Sequence, residues 1–142
     1  MPLLSPADQD KLRTAFGTMT RPVTLLFFTQ TIGCETCTQT RQILDELPVL
    51  TDQVSIEEVN LVLEADKAKR YGVDRAPAVA LLADGVDTRM RFLGMPGGYE
   101  FVSLVQAVLL AGGHESTLTA EQRQRLAAVD KPVTMQVFTT PT

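Results

Sequence analysis

The chain has 142 residues, 44% of them hydrophobic, and a formal charge of −4. That length suits one packed core with extra pieces and is too short for two ordinary domains. An acidic balance without any run of Lys or Arg excludes a nucleic-acid or anionic-membrane footprint. The longest apolar stretches, Val79 to Ala83 and Val102 to Ala111, fall far short of the roughly 20 residues a membrane helix needs. The expected partners are therefore proteins or small thiols. Met1-Pro2-Leu3-Leu4-Ser5-Pro6 has no basic region followed by an apolar run, so cytoplasm is the expected address, with a trimmed export signal as the alternative.

Ser5-Pro6-Ala7-Asp8 combines an N-cap hydroxyl, a proline at the first helical position and an early acid. It predicts a helix through Leu12 and Phe16 that ends near Gly17. Val23 to Thr29 is β-branched and aromatic, apolar on both faces, and suits a central strand covered on both sides. It leads to Cys34. Ile43, Leu44 and Leu47 then recur at helical spacing until Pro48, placing Cys34-Glu35-Thr36-Cys37 at a helix start. Val54 to Leu61 reads as a second strand and Glu64 to Tyr71, stopped by Gly72, as a short helix. Ala78 to Ala83 is a strand introduced by Pro77; Asp84-Gly85 turns the chain into Arg89 to Leu93 as a hairpin. Tyr99 to Leu110 carries one apolar stripe and is closed by Gly112-Gly113. The expected fold class is α/β, a mixed sheet flanked by helices.

The tail repeats the opening. Arg21-Pro22-Val23-Thr24 to Thr29 is matched by Lys131-Pro132-Val133-Thr134 to Thr139, and Leu118-Thr119-Ala120 echoes the capped helix start at Leu4-Ser5. The expectation is a domain over residues 1–114, then residues 115–142 as a linker and the first helix and strand of a second unit. The counterpart of Cys34 would fall just past Thr142, so the sequence reads as a piece of a longer protein. Val133 to Thr139 is expected to seek a sheet edge or to exchange between chains.

Only two cysteines occur, and a loop this short does little to staple a fold. Two residues between thiols at a helix start suit redox chemistry, because both sulfurs can meet in one small ring. The thiolate is the nucleophile, and backbone N–H groups at a helix start lower a cysteine pKa from about 8.5 to roughly 3.5–7.5. Cys34 is the expected nucleophile and Cys37 the resolving thiol. Thr36 can offer a hydroxyl to the Cys34 sulfur; Glu35 opposes the thiolate by like charge and predicts a moderate potential. The competing readings are inert packed thiols and a metal. For a metal, His114 is distant and four ligands are lacking within one chain, which leaves a cluster shared by two chains.

Ala76-Pro77 carries two readings as well: an ordinary trans proline at a strand start, or a cis bond that turns the Ala76 backbone towards the dithiol to pair with a substrate chain. Arg75 either reaches the mouth of the site and favours thiolate or is simply solvated.

Taken together, the strand, Cys34-x-x-Cys37, Ala76-Pro77 and the hairpin resemble the thioredoxin superfamily. Tyr71 to Ala78, Asp84-Gly85 and Phe92 to Phe101 resemble more closely the N-terminal unit of the glutaredoxin-like protein disulfide oxidoreductases, which join two thioredoxin-fold units. The resemblance implies a thioredoxin-like fold, no cofactor or metal on the chain, and disulfide exchange with protein substrates. The alkyl hydroperoxide reductase flavoproteins carry a similar double module whose first unit has lost its cysteines; retention of both here favours the disulfide oxidoreductases. An electron relay between a thioredoxin-reductase-like flavoprotein and a peroxidase is the alternative, and a non-catalytic scaffold module is a third. Two departures stand out. Thr31-Ile32-Gly33 replaces the tryptophan-rich approach, and Phe28 stands where thioredoxins hold a buried acid, leaving Glu57 or Glu58 either to substitute beneath Cys37 or to lie exposed at an edge.

Overall fold

The structure is a computed structural model that describes residues 2–140. Helix α1 spans Pro6–Phe16; the Ser5 hydroxyl accepts from the Asp8 N–H at 3.2 Å, so the cap signal in the sequence is the one the chain uses. Strand β1 (Val23–Thr29), helix α2 (Cys37–Asp45), strand β2 (Val54–Asn60), helix α3 (Ala65–Arg70), strands β3 (Ala78–Ala83) and β4 (Val86–Leu93), and helices α4 (Tyr99–Ala111) and α5 (Ala120–Ala127) follow. One sheet has the order β2-β1-β3-β4, with β1 and β2 parallel and the other pairs antiparallel.

Because side chains alternate along a strand, the continuous apolar run of β1 feeds two cores. Val23, Leu25 and Phe27 pack with Cys37 and Leu44 of α2 and Leu104 and Val108 of α4; Leu26 and Phe28 pack with Ala68 and Val73 on the opposite face. Each fully buried Leu or Phe of this strand contributes about 1.5–3 kcal/mol by leaving water. The pairing directions also sort the loops. The carboxyl ends of β1, β2 and β4 and the amino end of β3 lie at one end of the sheet. The segment 30–36, the turn 61–64, Arg75-Ala76-Pro77 and Gly94-Met95 are thereby gathered there.

Three elements depart from the sequence reading. β4 starts at Val86, three residues earlier than expected, because Asp84 (φ 49°) and Gly85 (φ 79°) form a two-residue turn that lets Val86 pair at once with Ala83. β2 stops at Asn60, whose side chain accepts from the N–H groups of Val62 and Leu63 and turns the chain away. The expected strand Val133 to Thr139 is absent: residues 132–140 have no regular structure and are exposed. A strand needs a ladder partner for its backbone, and among the described residues nothing pairs with this segment. The helix expected before it is present as α5, with a full capping box between Thr119 and Gln122 and no buried residue.

Candidate functional site

β1 hands the chain to Gly33, whose left-handed φ of 78° is open to glycine without strain, and then to Cys34. Cys34 and Cys37 form a disulfide with Cα atoms 5.5 Å apart. The pair lies at the helix start, as expected, but the helix begins at its second cysteine. Cys37, not Cys34, is the first residue of α2, Thr36 is its N-cap, and Cys34 precedes the helix. Cys34 is half-buried, whereas Cys37 is only 6% exposed within the larger core. Of the two sulfur-bearing residues, Cys34 is therefore the more accessible.

Thr36 makes no side-chain cap, and its hydroxyl bonds no sulfur among the described residues. Its carbonyl instead accepts twice from one residue, from the Thr40 N–H at 2.9 Å and the Thr40 hydroxyl at 2.8 Å. The N–H groups of Cys37, Thr38 and Gln39 lie ahead of the helix's own hydrogen-bond ladder, the condition in which a helix start stabilises an anion. Glu35 is exposed, where water screens its repulsion of a thiolate.

The Ala76-Pro77 peptide bond is cis. Pro77 is buried, and its carbonyl accepts from the Gly94 N–H at 2.9 Å, which ties this loop to the end of β4. Ala76 packs against the same core as Cys34, and among the described residues its own N–H and C=O are unbonded. Arg75 is exposed and its guanidinium lies on the Asp74 carboxylate at 2.8 Å, so its charge is directed to its neighbour. That contact holds the Asp74 carboxyl below its ordinary pKa and raises that of Arg75.

Phe28 is fully buried, and neither nearby acid replaces a carboxylate at its position. Glu57 pairs with Lys67 of α3, and Glu58 accepts from Arg41 of α2 at 2.7 Å, both near the surface. His114 contacts the Thr18 hydroxyl. Among the described residues no three His, Cys, Asp or Glu side chains converge, and no helix is long and apolar enough to cross a membrane.

Two supporting residues escaped the sequence reading. Thr40 is the one buried polar side chain of the described core, at 0% exposure; its only sequence signal is a threonine four residues after Thr36. Arg91 donates to both Asp87 oxygens at 2.7–2.8 Å and to the Tyr71 carbonyl at 3.1 Å, and lies over the Tyr71 ring. It thereby fastens the end of α3, from which the Ala76-Pro77 loop departs, to β4.

No protein-family model matches the chain. Over 79 residues, 56% of this chain and 13% of the relative, it is 39% identical to the alkyl hydroperoxide reductase AhpF of Xanthomonas campestris pv. phaseoli. The NTD_N/C domain of alkyl hydroperoxide reductase AhpF from Enterococcus faecalis superposes with a TM-score of 0.81 at 30% identity, covering 90% of this chain and 62% of that one. A protein disulfide oxidoreductase from Aeropyrum pernix superposes at 0.74 with 25% identity, covering 87% and 54%. The chain thus spans about an eighth of the curated relative and under two thirds of either solved chain. It has a thioredoxin-like fold with a C-x-x-C disulfide and resembles both the amino-terminal domain of AhpF and the archaeal oxidoreductase.

Proposed function

We propose that Cys34 and Cys37 relay electrons, accepting them from a flavin-dependent disulfide reductase and passing them to a peroxidase. The observation that carries this reading is the Cys34–Cys37 disulfide at the start of α2, in a fold similar to an alkyl hydroperoxide reductase domain. This replaces the sequence-based preference for a general protein disulfide oxidoreductase, which rested on the retained cysteines.

The chemistry is dithiol exchange. The Cys34 thiolate attacks a disulfide of the partner; the Cys34 Sγ–S bond forms as the partner S–S bond breaks, and one partner thiolate leaves. The Cys37 thiolate then attacks Cys34 Sγ, closes the internal disulfide and expels the second partner thiolate. Two electrons pass to the partner, and the two protons lost by the cysteines match those its thiols take up. The free N–H and C=O of Ala76, held by Pro77, would receive the partner backbone during the attack. Arg75, Glu35 and Thr36 act in this scheme only on the surroundings of Cys34. Residues 1–114 form the redox domain, and residues 115–142 a linker and the beginning of a second unit; the sequence repeat and the capped α5 support that division.

The second reading, exchange with diverse protein disulfides, is favoured by the likeness to the Aeropyrum protein. One experiment separates them. NAD(P)H oxidation is followed with a flavin-dependent disulfide reductase, a dithiol peroxidase and an organic hydroperoxide, with and without this chain, beside an insulin-reduction assay. Peroxide-dependent turnover that disappears in Cys34→Ser supports the relay. Insulin reduction without peroxidase coupling supports the broader oxidoreductase, and inactivity in both would leave a scaffold module.

A further inference from the structure

Resting on the reading of Cys34 and Cys37 as a working dithiol, we propose that Thr40 is a positioning residue that sets the redox equilibrium by holding the Thr36–Cys37 peptide unit through its buried hydroxyl. Thr40 acts without bonding either sulfur. Its hydroxyl and its N–H both donate to the Thr36 carbonyl, at 2.8 and 2.9 Å. That carbonyl and the Cys37 N–H belong to one planar peptide, so fixing one end fixes the aim of the other. The Cys37 N–H is at the first helical position, outside the helix's own hydrogen-bond ladder, and is one of the donors available to the Cys34 sulfur once the disulfide opens.

Two consequences follow. A second hydrogen bond onto a carbonyl polarises the whole amide and strengthens its N–H as a donor, by roughly 10–30% per bond in a chain. The disulfide form carries no thiolate, so this added donor strength acts on the reduced form alone. A threonine bonding back one turn is common in helices and mostly inert when exposed. Here the hydroxyl is buried, it cannot exchange the carbonyl for water, and the carbonyl lies between the two cysteines.

The test uses the 142-residue chain with Thr40→Val, which keeps the shape and removes the hydroxyl, and Thr40→Ser, which keeps the hydroxyl and removes a methyl. Each is equilibrated against graded glutathione, with the disulfide and dithiol forms counted by alkylation and mass; the Cys34 thiolate is titrated by its absorbance at about 240 nm. The expected result is a shift of about two- to fivefold towards the disulfide in Thr40→Val, with a raised Cys34 pKa. Thr40→Ser should match the parent. If Thr40→Val does not fold, Thr40→Ala against Thr40→Ser makes the same comparison at equal loss of the methyl. An unshifted hydroxyl-free variant, or equal shifts with and without the hydroxyl, overturns the proposal, because packing alone would then account for Thr40. A parent chain that does not cycle at all would instead overturn the relay reading, and the two failures are told apart by that control.

Discussion

The Arg41 guanidinium bonds the Glu58 carboxylate at 2.7 Å, tying the helix that opens with Cys37 to the edge strand β2 on the same face of the sheet as Phe27. Arg41 also holds Asp45 at 2.8 Å, so Glu58 shares a cation at the surface and is not a free carboxylate under the disulfide. Glu58→Gln should therefore leave the pH dependence of disulfide closure unchanged and cost at most about 1 kcal/mol of stability, as exposed pairs do. Stopped-flow closure rates from about pH 5 to about pH 9, the range in which a thiol titrates, check this; a displaced profile would make Glu58 the missing acid.

Under the proposed relay, the unequal burial of the cysteines predicts a division of labour between them. Cys34→Ser should abolish exchange, while Cys37→Ser should accumulate mixed disulfides on Cys34, because the shielded sulfur that would release them is gone. Mass spectrometry after mixing with a disulfide-containing protein reads both outcomes. Adducts accumulating on Cys37 in Cys34→Ser would reverse the assignment.

Asp87 gives the fold an acid-sensitive clasp. The hydrogen bonds from Arg91, ahead of the other contributions, lower its carboxyl pKa from 3.8 to about 2. A carboxyl depressed in the folded state adds stability above its ordinary pKa and loses it as the pH falls through the depressed value. The clasp is thus intact at neutral pH and is lost between about pH 4 and 2. Asp87→Asn should lower the urea midpoint at pH 7 by the equivalent of about 1 kcal/mol or less, given the partial exposure of the pair. The gap from the parent should close as the pH approaches 2. A gap independent of pH would place the effect in packing.

The course of the chain was legible wherever a single element carries its own signal. Ser5-Pro6 starts a helix, the two-sided apolar run of Val23 to Thr29 fills both cores, and Cys34-x-x-Cys37 falls at the mouth of α2. What stayed hidden depends on partners far apart or on burial. Arg91 reaches Tyr71 twenty residues away across a strand irregularity, and nothing local in the sequence announces that contact. Thr40 looks like any helix threonine until its burial is known. Pattern predicted a strand at Val133 to Thr139, but pattern supplies no neighbour, and without one the apolar side chains stay in solvent.

That last contrast can be measured on two residues in matching positions of the repeat. Phe28 in β1 is 0% exposed, whereas its counterpart Phe138 in the tail is 89% exposed. Phe28→Ala opens a cavity between β1 and α3 and should cost about 3–5 kcal/mol. Phe138→Ala removes a side chain that touches no core and should fall within about 0.5 kcal/mol of the parent. Urea unfolding of both variants supplies the comparison, repeated over a range of protein concentrations. A large loss for Phe138→Ala that grows with concentration would mean the tail is seated on a second copy, whereas a concentration-independent loss would mean that it packs on its own chain. The expected outcome, sensitivity at Phe28 alone, would locate the difference between two closely similar stretches in the sheet that surrounds one and is lacking around the other.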